Sequence, residues 1–222
     1  MDARYVVRLP KEYNVDLHTS GGAIAVNGIK GEIKSNTSGG ELKFTALQGP
    51  IDARTSGGNI AMKDCAGETR ISTSGGGIEI DNGSGRLDAR TSGGSIAVHQ
   101  FSGDTEVRTS GGKLTLENVK GKLFGRTSAG SIDVALADPV TADVNLDSSA
   151  GSIDLAVPPK AGLDVDARTS MGRIRSELPM VTTRSAEDRL EGTLNGGGRS
   201  VILRASVGGI TIRPNSGPTA SR

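Results

Sequence analysis

Aromatic residues are almost missing from this chain. There is no tryptophan, and two tyrosines and three phenylalanines bring the aromatic share to 2% of 222 residues. A core without them has to be built from Ile, Leu, Val, Ala and Thr. Cysteine is just as scarce. Cys65 stands alone, which excludes an intrachain disulfide and a thiolate metal site. A lone thiol at an apolar repeat place reads as a small buried residue. Nor is there an excess of charge of either sign. The 26 basic and 25 acidic side chains leave a net charge of +1, so neither a nucleic acid nor a membrane surface is expected as a partner. No apolar run approaches the roughly 18 residues of a membrane span, so direct membrane insertion is not expected. No signal peptide precedes Arg4, which fits a cytoplasmic protein or an exported one whose signal is no longer present.

Glycine, by contrast, is abundant, with 33 residues, and it is periodic. Thr-Ser begins at Thr19, Thr37, Thr55, Thr73, Thr91, Thr109 and Thr127, each 18 residues after the last. Looser copies begin at Ser148 and Thr169, each 21 residues on, and Ser206-Val207-Gly208-Gly209 is a last echo. A strict period over this length is the mark of stacked identical units. It runs from about residue 5 to residue 213 without a linker, which implies one domain.

Within the unit, Thr and Ser are followed by Gly-Gly or a near equivalent. Apolar residues hold the sixth and eighth places, from Ile24 and Val26 to Leu114 and Leu116, and the eleventh, as at Ile29, Leu47, Cys65, Phe101 and Val119. A further glycine is thirteenth, from Gly31 to Gly121, and the fifteenth and seventeenth places are apolar or small, as at Ile51 and Ala53. Alternation with period two on both sides of glycine turns means strands. The predicted fold is therefore all-β: a single-domain parallel β-helix (β-solenoid) with about 18 residues per coil. Roughly ten coils at about 4.8 Å each would make a rod some 50 Å long. A left-handed hexapeptide coil needs an apolar residue at every sixth place, which the pattern lacks, so a right-handed coil is expected. Parity turns Thr inward and Ser outward. An inward Thr column can pass hydroxyl hydrogen bonds along the axis while its methyls pack.

The coils are regular over 19–128. From 129 to 176 they widen by three residues, and the additions carry Asp138-Pro139 and Pro158-Pro159. Both belong in loops, because proline removes a ladder donor. Residues 177–213 read as an irregular C-terminal cap. Leu190 to Leu194 and Gly196-Gly197-Gly198 suggest a hairpin, after which Val201–Arg204 and Ile210–Ile212 finish the last coil. The solenoid domain thus spans 1–213, and 214–222 reads as a disordered tail. At the other end, Tyr5–Leu9 reads as a strand stopped by Pro10, with an open edge on which another chain can pair.

The Thr-Ser-Gly-Gly-x-Ile-x-Val unit, the opening Leu9-Pro10…Val15-Asp16-Leu17-His18-Thr19-Ser20 and the closing Ile210-Thr211-Ile212-Arg213-Pro214 resemble a bacterial family of adhesin-labelled β-strand-repeat proteins, a domain of unknown function. The resemblance covers nearly the whole chain. It implies a β-solenoid, often exported or tied to the cell envelope, with no established catalytic residues.

A solenoid turns each outward place into a ladder, and two ladders are candidates for recognition. Arg54, Arg90, Arg108, Arg126 and Arg168 share the eighteenth place. Arg90, Arg108 and Arg126 follow one another in successive coils, dense enough to grip sulfated or carboxylated glycans. The competing reading is an intramolecular network with Asp52, Asp88 and Glu106 on the same face. The segment 129–167 is acidic, with Asp133, Asp138, Asp143, Asp147, Asp154, Asp164 and Asp166 against Lys160. Asp133 and Asp154 occupy the same outward place on adjacent coils, where paired carboxylates can hold Ca²⁺. The glycine-aspartate nonapeptide of calcium-binding β-rolls is absent, however, and a solvated acidic face is the simpler reading. From Arg168 to Arg213 the chain is basic, so the rod should be electrically polar along its axis, which favours head-to-tail stacking.

No catalytic, cofactor-binding or metal site emerges. His18 and His99 do not recur, and no acid pair stands out from the ladders. The expected role is a non-catalytic binding or structural module of the bacterial cell envelope, with an envelope polysaccharide or a protein as partner and end-to-end self-association. One alternative is a polysaccharide-active β-helix enzyme, which needs two carboxylates about 5–10 Å apart in a deep groove. Another is an ice-binding solenoid, which needs outward Thr-x-Thr rows that parity denies.

Overall fold

The alternating pattern becomes twenty strands in the computed structural model, which describes residues 5–215 and contains no helix among them. The first ten are β1 (Val15–Thr19), β2 (Ile24–Asn27), β3 (Ile33–Thr37), β4 (Leu42–Thr45), β5 (Ile51–Thr55), β6 (Ile60–Ser72), β7 (Ile78–Thr91), β8 (Ile96–Ser102), β9 (Thr105–Thr109) and β10 (Leu114–Val119). They continue as β11 (Leu123–Thr127), β12 (Ile132–Leu136), β13 (Val144–Ala150), β14 (Ile153–Val157) and β15 (Leu163–Met171). The last five are β16 (Ile174–Ser176), β17 (Val181–Ser185), β18 (Arg189–Leu194), β19 (Arg199–Val207) and β20 (Ile210–Pro214).

These strands stack in two parallel columns. One holds β1, β3, β5, the second halves of β6 and β7, then β9, β11 and β13. The other holds β2, β4, the first halves of β6 and β7, then β8, β10, β12 and β14. The register step is 18 residues, as in Leu114↔Ile132, and widens to 21 in Leu123↔Val144 and Ile132↔Ile153, where the loop carrying Asp138-Pro139 enters; Pro158-Pro159 lies in the later connection from β14 to β15. The result is a single β-solenoid of about eight turns stacked in chain order, rather than roughly ten.

The count falls short because the chain then leaves sequence order. From β14 it runs to β15 and β16, reverses through the antiparallel pair β17–β18, and returns as β19 and β20 between layers already laid down. Strand β19 pairs with β13 on one side and β15 on the other, and β20 pairs with β14 and β16. The segment 201–212 therefore does not finish the last coil; it is the penultimate layer. Hydrophobicity gives the reason. Val201, Leu203, Ile210 and Ile212 are fully buried in that inner position, whereas β16 is only half-buried and every residue of β17 is exposed. The apolar strands take the place with a layer on each side, and the polar ones take the edge. The cap does hold a hairpin, the β17–β18 pair, but it turns at Ala186–Arg189 rather than at Gly196-Gly197-Gly198, which instead join β18 to β19, and β18 is also antiparallel to β15.

The strand expected at Tyr5–Leu9 does not form. Among the described residues, Tyr5, Val6 and Val7 are exposed and unpaired, and the first bridge is Glu12↔Lys30. An 18-residue step back from β2 would set Arg8 beside Val26 on the inward column, a burial that an unpaired guanidinium opposes. At the other terminus Pro214 closes β20, and Asn215 donates its N–H to the Val157 carbonyl at 2.7 Å and its amide to the Leu136 carbonyl at 3.1 Å. Of the tail expected over 214–222, these two residues are held to the solenoid, and 216–222 lie outside the described residues.

Parity holds at the Thr-Ser corner. Thr55, Thr73, Thr91, Thr109 and Thr127 are buried, and Ser56, Ser74, Ser92, Ser110 and Ser128 are exposed. The threonines do not bond to one another, however. Each hydroxyl donates to a glycine carbonyl of the turn below, as Thr55 to Gly40 at 3.0 Å and Thr91 to Gly76 at 2.8 Å. The same oxygen accepts the N–H of the glycine three residues on, at 3.2 Å for Gly58 and Gly94. A buried hydroxyl is thereby used as both donor and acceptor, which binds the corner to itself and to its neighbour. The two glycines of the corner differ. A Cβ on Gly94 would lie 1.9 Å from the Gly76 carbonyl oxygen, whereas one on Gly93 meets nothing closer than 3.6 Å.

Candidate functional site

The eighteenth-place arginines do form a column: Arg90, Arg108 and Arg126 are register partners in successive turns. Two of the three are already engaged. Arg90 reaches Asp88 at 2.8 Å and Glu106 at 3.2 Å, and Arg108 also pairs with Glu106. Arg108 lies over the Phe124 ring, 4.8 Å from its centroid, a cation–π geometry. Arg126 makes no ion pair among the described residues. Away from this trio, Arg54 pairs with Asp52 at 3.0 Å, and Arg168 with Asp166 at 2.8 Å and Glu191 at 3.3 Å. The Asp166 hydrogen bond is the main cause that holds the Arg168 guanidinium above its usual proton affinity. The stripe is thus mostly an intramolecular network, with Arg126 as its open member.

Asp133 and Asp154 are register partners, as their spacing implied. Each carboxylate faces a cation: Lys113 contacts Asp133, and the Arg213 Nε donates to Asp154 at 2.6 Å. No cluster of three or more His, Cys, Asp or Glu gathers among the described residues. Other acids of this segment serve the inserted strands. Asp143 accepts the Ser200 N–H at 3.1 Å, and Asp164 accepts the Gly198 N–H at 3.3 Å. The basic segment therefore lies among the acidic one, with Arg204 in register between Asp147 and Arg168. The charge polarity expected along the axis is lost by this interleaving.

Cys65 is buried, with its thiol donating to the Lys63 carbonyl at 3.3 Å. Burial pushes its pKa up, which suits an inert packing residue. His18 contacts Asp16 at 2.8 Å and His99 contacts Glu117 at 3.1 Å, both on the surface. The burial of the Thr column leaves those threonines no face to present to ice.

One feature is not signalled by residue type. At the tenth place, Gly28, Ala46, Asp64, Asn82, Gln100 and Asn118 all adopt positive φ, between 53° and 71°. Six successive turns make the same left-handed corner, and five do so without glycine. Beside it the twelfth place is small at Ala66, Ser84 and Ser102, between the longer Gln48 and Lys120. At the eleventh, Gly83 leaves room for the Phe101 ring, which a Cβ would meet at 2.8 Å. The outcome is a groove of about 650 Å³ lined by Asp64, Asn82, Gln100, Asn118, Lys120 and Asp138. The periodicity could have located this column, but nothing in Asp, Asn and Gln foretold that they line a groove.

Fold and ladders together define a β-solenoid repeat protein whose outward places are displayed in register. Residues 2–213 match the Toastrack DUF4097 family, a domain of unknown function, and the chain belongs to that family. No curated protein and no solved structure matches it.

Proposed function

We propose that the protein is a non-catalytic binding or structural module of the bacterial cell envelope, adhesin-like in use. Its rigid, right-handed coil displays residue ladders to an extended polymer or a partner protein. The observation that carries this reading is the register of Arg90, Arg108 and Arg126 on one outward column, with Arg126 free of an acidic partner among the described residues. Arg108 is pre-oriented by Phe124, so a carboxylated or sulfated chain along the axis meets guanidinium groups one turn apart, about 4.8 Å. The test is co-sedimentation with isolated envelope polysaccharide, with and without Ca²⁺. Binding that disappears when the three arginines become Glu supports the ladder, and binding that survives the change refutes it.

End-to-end self-association is a second reading. Strand β1 pairs only with β3, and β2 only with β4, among the described residues. That leaves two parallel edges open at the same end of the rod, and open edges template pairing. A sedimentation coefficient that does not change with concentration would remove this reading.

A further inference from the structure

We propose that the groove beside the tenth-place column binds a neutral, hydroxyl-rich glycan of 1,4-linked pyranoses lying parallel to the rod axis. This does not rest on the arginine ladder, which occupies a different place of the repeat.

Four observations converge. The first is the conformational choice. Left-handed backbone disfavours most side chains by roughly 1–2 kcal/mol relative to glycine, and Asn and Asp least because they bond locally, and Gly28 shows that glycine serves at this corner. Yet Asp64, Asn82, Gln100 and Asn118 follow one another there in four successive turns, over the length of the groove. Asp64, Asn82 and Asn118 suit that backbone, but Gln100 does not, and packing does not account for its exposed side chain. The second is spacing. One turn rises about 4.8 Å, close to the length of a single 1,4-linked pyranose, so each sugar falls opposite one rung, and because alternate sugars are turned over the same hydroxyls return at every second rung.

The third observation is chemical. A primary amide offers a carbonyl acceptor and two N–H donors side by side, which matches a pair of neighbouring sugar hydroxyls. Gln100 and Asn118 have no side-chain hydrogen bond to other described residues, and the Ser84 and Ser102 hydroxyls open beside them. The Asn82 amide nitrogen donates to the Asp64 carboxylate at 2.6 Å. That bond holds the amide and leaves its carbonyl oxygen and the second carboxylate oxygen without a hydrogen bond among the described residues. The fourth is charge. The lining holds Asp64 and Asp138 against Lys120, with no cationic row to attract a sulfated or carboxylated chain. Asp138, in the widened loop after β12, closes one end. Four rungs span about 14 Å, room for three or four sugars.

The test is calorimetric titration of the folded protein with cellotetraose and chitotetraose. A variant carrying Gln100→Gly and Asn118→Gly should weaken binding about tenfold or more, while its melting temperature stays level or rises, since glycine suits that backbone. The Arg90, Arg108 and Arg126 to Glu variant should bind the tetrasaccharides as the unaltered chain does. Failure of either tetrasaccharide to bind at all is read jointly: the inference is overturned when neither binds. It is also overturned when the double glycine variant binds undiminished, or when the arginine variant loses binding. The arginine-ladder reading stands or falls separately, on co-sedimentation with polysaccharide.

Discussion

The solenoid has two kinds of corner, and they treat side chains in opposite ways. At the Thr-Ser-Gly-Gly corner the backbone of one turn presses on the next, and a Cβ at Gly40, Gly58, Gly76, Gly94 or Gly112 would lie within 2.0 Å of a carbonyl below or its oxygen. Here glycine is required by close approach, without any left-handed φ. At the tenth-place corner the backbone is left-handed, the conformation that favours glycine, yet five of six turns carry a side chain. One corner is closed by sterics that no residue can evade. The other is open to solvent, and its residues are free to serve something other than folding. A repeat's invariant places report packing, while recognition is to be sought at its solvent-open places, above all where a residue without a left-handed preference is kept, as at Gln100.

The largest effect expected from breaking this contrast comes from Gly94→Val. The carbonyl of Gly76 cannot retreat without parting the turns, so a loss above about 4 kcal/mol is expected. Gly93→Val, one residue away, should cost less than about 1 kcal/mol because its Cβ would make only ordinary van der Waals contact, 3.6 Å from the Ser74 and Gly75 carbonyl oxygens. Equal melting curves for the two variants in chemical denaturation would contradict the corner geometry. Next is Thr91→Val, which keeps the shape but removes the bond to the Gly76 carbonyl and the acceptor for the Gly94 N–H. Leaving those buried groups unpaired should cost about 1–3 kcal/mol, read from the urea midpoint. The smallest effect tests the other corner. Ala46→Gly, at φ 53° and outside the groove, should be stabilising by up to about 1 kcal/mol. A destabilised Ala46→Gly protein would mean that this corner is not held against backbone preference.

Much of this was legible in the 18-residue period. It located the turns, and parity placed Thr37, Thr55 and the apolar sixth and eighth places inward, as they are. The arginine column was legible too, because identical spacing guarantees identical register. What the arginines bind was not, since the positions of Asp88 and Glu106 relative to a guanidinium depend on rotamers and on the neighbouring turn. The acidic pair Asp133 and Asp154 was placed correctly, but Arg213, far along the chain, reaches it only through the inserted strands. The groove escaped notice because its walls come from the tenth and twelfth places and a loop, each unremarkable alone.

The amino-acid sequence by itself determined the repeating turn, its two faces and the glycines at its corners. These follow from alternation and steric fit within one unit and its nearest neighbour, which local pattern encodes. Only the tertiary structure decided the order of the closing layers. Strands β15 and β19 carry the same alternation and could each stack on β13. The choice went to β19 because it places the apolar pair β19–β20 between two layers and leaves the polar β16 and β17 at the edge, a balance of burial over the whole end of the rod.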